Sequence, residues 1–310
     1  MRVAVADLGT NSTRLLVADV DGERLQEVER RLAITRLGQG VDAAGSLAAG
    51  ARGRVLECLA AYAERAHALG AERMLAVATS AVRDARDAAG FLDEVAAAGF
   101  APHLLAGDEE AAMTFRGVVS ARAGGGSGVL VIDVGGGSTE LVLGGLDGAV
   151  AWSCSLDVGC VRVTERFLGE GPTGACDVES LLGHLRRLLA GIPEGVAREV
   201  QVGVAVAGTA TTAAMLDLGL PGEDVGLIHG HVLDRRGLLA QQLRLAPMTV
   251  AERLSIPGLP PGRAPVIVGG LIVLGAVLDR LGLERVEVSE RDLLHGAAFL
   301  AAGSPTPVLS

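Results

Sequence analysis

The 310-residue chain contains no lysine, and aromatic residues account for only 2% of it. All 27 of its basic residues are therefore arginines, while 37 acidic residues bring the formal net charge to −10. This charge argues against a general nucleic-acid-binding protein, because such proteins present a basic surface to the phosphate backbone. A polyanionic ligand would need a local cluster of arginines or a metal ion to offset the negative field.

Cysteines and long apolar segments are also scarce. The four cysteines have no C-x-x-C spacing and no paired histidines, which predicts free thiols in a reducing cytosol. The longest apolar stretch, residues 264–278, is too short and too rich in glycine to cross a bilayer. The first strand pattern follows Met1 at once, so no signal peptide is expected. We therefore expect a cytoplasmic protein with no membrane role.

A long internal repeat is the clearest feature that is present. Residues 3–13 return 126 positions later as residues 129–139, each copy an apolar run followed by Asp-x-Gly-x-x-Ser-Thr. Both copies continue through an Asp-Gly pair between apolar runs, which is a hairpin signal. Each copy therefore predicts strand, polar loop, strand, hairpin turn and strand. A repeat of this length indicates two similar domains.

The polar loops of the two copies are suited to bind phosphate. Glycine lets backbone N–H groups converge on an anion, and neighbouring hydroxyl and amide groups add donors. Neither loop has the Gly-Lys-Ser/Thr of a Walker A loop or the spacing of a dinucleotide site. A third segment with Gly208 and Thr209 leads from a strand into a helix, whose N-terminus favours anions. The candidate phosphate-binding residues of the two repeat loops are Gly9, Asn11 and Ser12 in loop 1 (residues 9–13) and Gly135, Gly136, Gly137, Ser138 and Thr139 in loop 2 (residues 135–139).

One such loop alone could equally be a plain hairpin connection, but the duplication favours a phosphate cleft between two domains. An aspartate ends the strand before each loop. Asp133 and Glu140 flank loop 2, and paired carboxylates of this kind commonly hold Mg²⁺ together with waters and substrate oxygens. Asp7 is the equivalent of Asp133 in the first copy. Capping of the loop is the alternative role for these side chains.

A candidate base and a candidate cation lie between the two copies. Hydrolysis of a phosphoanhydride needs an activated water, which a carboxylate can provide, and a cation near the phosphoryl oxygens. Glu109 and Glu110 open a helix, where interaction with the helix dipole would also explain them. Arg83 follows a short buried strand, although a solvated surface role is the default for an arginine.

Strands alternating with helices indicate an α/β fold, and the hairpins make its sheets mixed rather than wholly parallel. Residues 123–128 form the one flexible glycine-rich stretch, directly before the second copy of the repeat. We place the domain boundary there. The expected domains are therefore residues 1–122 and 123–310.

Taken together, these segments resemble the exopolyphosphatase/guanosine pentaphosphate phosphatase family of the actin-like ATPase superfamily. The pairing of Asp-Val-Gly-Gly-Gly-Ser-Thr-Glu with an upstream Glu-Glu-Ala is specific to that family. The matching pieces follow the family order along nearly the whole chain and are residues 7–12, 79–83, 107–111, 133–140, 159–162, 207–209, 262–263 and 289–294.

The resemblance implies two actin-like (ribonuclease-H-like) domains, an interdomain cleft, and a last helix that returns to the first domain. It assigns the catalytic base to Glu110, support of metal and water to Asp133 and Glu140, and a phosphate contact to Arg83. The cofactor would be Mg²⁺ or Mn²⁺. Asp7, loops 1 and 2, Gly208 and Thr209 would then surround the substrate phosphates.

The implied activity is release of terminal phosphate from inorganic polyphosphate. The closest alternative is 5′-phosphohydrolysis of guanosine pentaphosphate, which the lack of an evident base-stacking aromatic residue disfavours. A sugar kinase would need further signatures that the sequence lacks, and a non-catalytic polyphosphate or alarmone sensor is the non-enzymatic alternative. Longer family members carry a further helical region beyond the equivalent of Ser310. Without it we expect use of short polyphosphates, and a homodimer is one way to extend the binding surface.

Overall fold

The computed structural model describes residues 1–122, 126–169 and 171–304. Residues 123–125 of the predicted linker lie outside this part of the chain. The described residues divide by their packing into two units. Unit 1 comprises residues 1–122, 146–154 and 291–304, and unit 2 comprises residues 126–145, 155–169 and 171–290. Residues 146–154 and 291–304 thus group with unit 1, although the sequence places them in the second domain.

The secondary structure is mixed α/β, so the predicted fold class is confirmed. The strands are β1 (Arg2–Leu8), β2 (Thr13–Asp21), β3 (Arg24–Ala33), β4 (Arg73–Ala78), β5 (Ala101–Leu104), β6 (Val129–Val134), β7 (Thr139–Gly144), β8 (Val150–Leu156), β9 (Val202–Val206), β10 (Val232–Asp234) and β11 (Arg285–Val288). The helices are α1 (Val41–Ala44), α2 (Ala49–Ala68), α3 (Ser80–Arg83), α4 (Ala88–Ala97), α5 (Gly107–Val119), α6 (Cys160–Val163), α7 (Ala175–Leu189), α8 (Glu194–Glu199), α9 (Ala207–Leu218), α10 (Val225–Ile228), α11 (Arg235–Leu245), α12 (Val250–Arg253), α13 (Ile267–Leu281) and α14 (Leu293–Ala301), with a π-helical turn at Thr164–Leu168. None of the helices described is long and apolar enough to cross a membrane.

The sheet of unit 1 has the strand order β3-β2-β1-β4-β5. Strands β1, β2 and β3 are antiparallel, and the predicted Asp-Gly turn joins β2 to β3 with Gly22 at φ 59°. Strands β1, β4 and β5 are parallel, with Leu8, Ala78 and Leu104 in register. The chain segments that follow these three strands therefore leave the sheet at the same edge. These segments are loop 1, α3 and the start of α5.

Strand β1 of the unit 1 sheet is buried on both faces. Alternate residues of β1 serve two clusters: Ala4 and Ala6 pack with α2 and α4, whereas Val3 and Val5 pack with α14. A strand covered on both sides has no polar face, which explains its continuous apolar sequence. Helix α14 also crosses α5 closely, because a Cβ atom added at Gly117 or Gly296 would overlap the backbone of the other helix.

A buried group of charges ties α14 to the hairpin that carries loop 1. Arg14, which lies opposite Asp7 in the β1–β2 ladder, donates from Nε and Nη2 to Asp7 Oδ2 at 2.9 and 2.7 Å. Its Nη1 donates to Asp292 Oδ2, and Asp292 Oδ1 accepts the N–H of Leu294 at the start of α14. One guanidinium thus joins two carboxylates that lie 285 positions apart in the sequence (292 − 7).

The pKa values of these acids reflect two opposing effects. Burial raises the pKa of Asp7, against the influence of Arg14. Burial would also raise the pKa of Asp292, but Arg14 and His295 outweigh it and hold the pKa below its ordinary range. A hydrogen bond from His295, with help from Arg30, lowers the pKa of Glu27 to about 2. Asp292 and Glu27 are therefore more stable as carboxylates in the folded chain than in the unfolded one.

The sheet of unit 2 has the strand order β10-β11-β9-β6-β7-β8. Strand β6 is antiparallel to β7 and parallel to β9, with Asp133 in register with Val206. Loop 2 and the start of α9 therefore leave the sheet at the same edge. No loop separates β9 from α9, because Ala207 is already the first helical residue. The predicted segment with Gly208 and Thr209 is thus already the first turn of a helix, and Ala207 accommodates the sharp turn with φ 62°.

We expect Asp292→Asn to destabilise the protein by about 1–3 kcal/mol, as is usual for loss of a hydrogen bond to a charged group. Asparagine can still cap α14, so the loss would report on the ion pair with Arg14. Urea unfolding measures the change. Asp224→Asn is the matched control, since Asp224 caps α10 through the N–H of Leu227 at an exposed position. An equal effect of the two substitutions would contradict the assignment.

The same ion pair predicts an acid dependence of stability. Carboxyls whose pKa is lower in the folded chain stabilise it above the unfolded pKa and lose that contribution as the pH falls. The window begins at about pH 4.5, near the ordinary carboxyl pKa, and extends to about pH 2 for Glu27 and lower for Asp292. Asp292→Asn should flatten the fall of the unfolding free energy in this window, measured by urea unfolding at each pH.

Candidate active site

Unit 1 brings Arg83 and Glu110 together. Arg83 is the last residue of α3, and Glu110 lies in the first turn of α5, at the strand edge from which loop 1 also leaves. The Nη1 of Arg83 donates to Glu110 Oε2 at 3.2 Å and to the carbonyl oxygen of Leu105 at 2.9 Å. Glu110 is only 7% exposed. The guanidinium therefore fixes both a buried carboxylate and the connection that precedes its helix.

The neighbouring Glu109 has a different environment. Its Oε2 accepts the N–H of Ala106 at 2.9 Å, which caps the start of α5, and its side chain is about half exposed. The other carboxylate oxygen lies 3.9 Å from the ring of His103. The local sequence pattern does not distinguish Glu109 from Glu110 as the candidate base. In the structure Glu109 caps the helix, whereas Glu110 contacts Arg83.

Loop 1 is a tight turn whose carbonyl oxygens accept hydrogen bonds from a neighbouring segment, residues 36–38. The N–H of Gly9 donates to Ser12 O at 3.1 Å and closes the turn. The carbonyls of Thr10 and Asn11 accept the N–H groups of Gly38 and Arg36 at 2.8 and 2.9 Å. A trans peptide carries its C=O and N–H on opposite sides, so the N–H groups of the next residues, Asn11 and Ser12, point away from residues 36–38. This arrangement presents donors on one side of the loop.

Asp7 lies near the end of β1, directly before loop 1, and adds no hydrogen-bond donor to that loop. A carboxylate has no donor for phosphate, and Oδ2 of Asp7 is bonded to Arg14. In the second copy of the repeat the residue equivalent to Arg14 is Glu140. The two aspartates therefore have opposite cross-strand partners, a guanidinium in unit 1 and a carboxylate in unit 2.

Asp133 and Glu140 share one face of the unit 2 sheet, because they are directly opposite each other in the β6–β7 ladder. Both are buried, and the hydroxyl of Ser155 donates to Glu140 Oε1 at 2.8 Å. Within the described ranges there is no group of three or more His, Cys, Asp or Glu side chains that could hold a metal by themselves. Two carboxylates still fit Mg²⁺, which commonly takes one or two and fills its other positions with water and phosphate oxygens.

Loop 2 has its carbonyls held in the same manner as loop 1. The N–H of Cys160 donates to Gly135 O at 2.9 Å, and the N–H groups of Val161 and Arg162 donate to Gly136 O at 2.9 and 3.1 Å. Helix α6 and the residue before it pack directly on the loop, since a Cβ atom at Gly159 would overlap the peptide of Gly136. The N–H groups on the far side of these peptides belong to Gly136 and Gly137.

Comparison with known proteins shows the family of this chain. The family model of the Ppx/GppA phosphatases matches residues 16–302. The chain belongs to the Ppx/GppA phosphatase family. Exopolyphosphatase 2 of Mycobacterium tuberculosis (strain H37Rv) is 40% identical, over 97% of this chain and 99% of that protein. The guanosine-5′-triphosphate,3′-diphosphate pyrophosphatase of Vibrio vulnificus is 32% identical over 96% of this chain but only 58% of its own length.

Solved structures show the same relationship. The crystal structure of an exopolyphosphatase-like protein superposes with a TM-score of 0.91 at 32% identity, covering 98% of this chain and 99% of that one. The Ppx/GppA family member of Aquifex aeolicus superposes with a TM-score of 0.80 at 29% identity, covering 97% of each chain. As a member of this phosphatase family, the chain is a phosphoanhydride hydrolase.

Arg263 lies beside a predicted phosphate-binding residue, although the sequence pattern predicts no role for it. Its guanidinium lies against Gly208, because a Cβ atom at Gly208 would overlap it. Thr209 Oγ1, one residue further along α9, donates to Val134 O at 3.4 Å, just before loop 2. The Gly-Arg pair at residues 262–263 was among the segments matching the Ppx/GppA family, and this was the available signal.

Glu110→Gln should lower the kcat for phosphate release by roughly 10²–10⁴, the usual contribution of a general base, with little change in KM. Glu109→Gln is the matched control, because glutamine can still accept the N–H of Ala106 and cap the helix. Steady-state phosphate release measures both. Near-normal turnover in Glu110→Gln combined with loss in Glu109→Gln would show that the base is the other carboxylate.

Proposed function

We propose that this chain is an exopolyphosphatase that releases terminal orthophosphate from inorganic polyphosphate. The observation that carries the proposal is the buried Glu110 carboxylate, held by Arg83 at the strand edge where the donor-lined loop 1 begins. The relationship to Exopolyphosphatase 2 along nearly the full length of both proteins supports the same substrate.

In the proposed reaction a water molecule attacks the terminal phosphorus. The new P–O bond forms as the anhydride P–O bond to the rest of the chain breaks, and the shortened polyphosphate leaves with the bridging oxygen. Glu110 accepts the proton of the attacking water. Arg83 and the N–H groups of loop 1 offset the charge of the phosphoryl oxygens, which is the main task of a phosphoryl-transfer site.

Asp133 and Glu140 are the residues we propose for the divalent cation. When bound there, Mg²⁺ or Mn²⁺ would neutralise substrate charge, a contribution that matters in a protein of net charge −10. Ser155 would keep one oxygen of Glu140 oriented by its hydrogen bond. In unit 1 the equivalent strand pair needs no cation, since Arg14 already neutralises Asp7.

Guanosine pentaphosphate is the second candidate substrate, because relatives named for a guanosine substrate match 96% of this chain. The residues proposed for the site include no aromatic side chain on which a guanine could stack, which favours polyphosphate. Phosphate release should be compared at equal concentrations of terminal phosphates for polyphosphates of defined length and for guanosine pentaphosphate. We expect a higher kcat/KM on polyphosphate, and the reverse order would identify the alarmone as the substrate.

A binding protein without turnover is the non-enzymatic alternative. Polyphosphate binding without phosphate release, under conditions that include Mg²⁺ or Mn²⁺, would support it and contradict our proposal. Phosphorylation of a sugar by ATP would instead indicate kinase chemistry. We propose that the protein acts in the cytoplasm, in agreement with its four free cysteines.

Chelation of divalent cations should abolish phosphate release, and Mg²⁺ or Mn²⁺ should restore it. Asp133→Asn should raise the metal concentration needed for half-maximal activity by at least about 10-fold, a change typical of perturbed metal sites. The exposed Asp224→Asn is again the control, because it removes the same charge far from β6 in the sequence. Full activity in excess chelator, or an unchanged metal requirement in Asp133→Asn, would contradict the assignment.

A further inference from the structure

We propose that Arg162 is a positioning residue that holds loop 2 in the shape that binds phosphate. The Nε–H of Arg162 donates to the carbonyl oxygen of Gly137 at 2.7 Å. Its backbone N–H donates to Gly136 O at 3.1 Å. A single residue therefore holds two consecutive carbonyls of the glycine run. The proposal deepens the phosphatase function proposed above and rests on it.

The effect on the ligand side follows from the planarity of the peptide. Fixing the carbonyl of Gly137 on the α6 side fixes the N–H of Ser138 on the opposite side, because the two groups of a trans peptide point in opposite directions. The structure contains no cis peptide bond among its described residues. With Gly135 O and Gly136 O held by the backbone of residues 160–162, three successive N–H groups point the same way: those of Gly136, Gly137 and Ser138.

The internal repeat shows why Arg162 is needed for this. Asn11 in loop 1 is equivalent to Gly137 in loop 2, offset by 126 positions. The carbonyl of Asn11 is held by a backbone N–H, that of Arg36 at 2.9 Å. In loop 2 the corresponding carbonyl is held by a side chain. In unit 1 this hydrogen bond comes from a backbone N–H, which every residue except proline has. In unit 2 it comes from the side chain of one residue, Arg162.

The flexibility of loop 2 makes this bond matter. Three consecutive glycines have more backbone freedom than any other tripeptide, so an unheld peptide at Gly137 would rotate. Donors that are already oriented before the substrate arrives cost no reorganisation during the reaction. The planar guanidinium offers an Nε–H in a fixed direction, whereas the ammonium of lysine sits on a flexible stem and cannot reproduce it.

Arg162→Lys is the decisive variant, since it keeps the charge and removes the Nε–H. We expect kcat for phosphate release to fall by about 10- to 100-fold, less than the 10²–10³ typical of deleting an oxyanion donor outright, because the donor is displaced rather than removed. The KM and its salt dependence should change by less than about 3-fold, because the charge is retained. The thermal midpoint should stay close to that of the unchanged protein.

Two further variants separate positioning from other effects. Arg198→Lys is the matched control, because Arg198 is exposed in the same unit and forms a surface ion pair with Glu194 at 3.9 Å; its kinetics should not change. Arg162→Ala should be as slow as Arg162→Lys or slower, and added methylguanidinium should recover part of its kcat. A kcat of Arg162→Lys within 2-fold of the unchanged protein would overturn the proposal, since charge alone would then suffice.

A measurement without turnover distinguishes failure of this proposal from failure of the proposed function. In protein labelled with ¹⁵N-glycine and ¹⁵N-serine, inorganic phosphate should shift the amide resonances of Gly136, Gly137 and Ser138, and Arg162→Lys should weaken these shifts. Equal shifts in both proteins would refute the positioning role even if neither released phosphate. If Arg162→Lys does not fold, Arg162→Gln serves in the same comparison.

Discussion

Each unit has one glycine-containing loop whose shape depends on hydrogen bonds to its carbonyl oxygens. In loop 1 the bonds come from the backbone of residues 36 and 38, and in loop 2 from residues 160–162. Each bond fixes a carbonyl on one side of its loop and the following N–H on the other side, the side that we propose faces phosphate. A loop with unheld peptides would present carbonyl oxygens to a phosphate as often as N–H groups, and carbonyl oxygens repel anions.

The absence of lysine shapes how positive charge is used in this chain. Several arginines serve as fork-shaped donors rather than as solvated charges. Arg14 joins Asp7 to Asp292, and Arg83 joins Glu110 to a carbonyl. Arg253 is 1% exposed and donates to three carbonyl oxygens, those of Leu245, Ala246 and Ala264. In each case one planar guanidinium joins two or more other groups, which a lysine could not do with the same geometry.

The two copies of the repeat share a backbone arrangement but differ in the side chain opposite the aspartate. Strand, loop, strand, turn and strand follow in the same order in both copies, and the carbonyls of both loops accept hydrogen bonds from a neighbouring segment. The cross-strand partner of the aspartate differs: Arg14 in unit 1 and Glu140 in unit 2. The first pair is internally neutralised and structural, and the second is acidic and suited to a cation. The two loops therefore have similar backbone hydrogen bonding, and the residue at the equivalent position, Arg14 or Glu140, gives the two strand pairs opposite charge.

The sequence by itself determined the repeat, the α/β class, the Asp-Gly hairpins and the polar loops, because these depend on local patterns that act over a few residues. It also placed Asp133 and Glu140 on either side of loop 2. The choice of Glu110 rather than Glu109 as the proposed base came from the family resemblance, and only the tertiary structure shows that Glu110 contacts Arg83 while Glu109 accepts the N–H of Ala106. Likewise, the pairing of Arg14 with Asp292 and the bond from Arg162 to Gly137 join residues far apart in the chain. Such contacts carry no local signal, because they exist only once the packing of the core has brought their elements together.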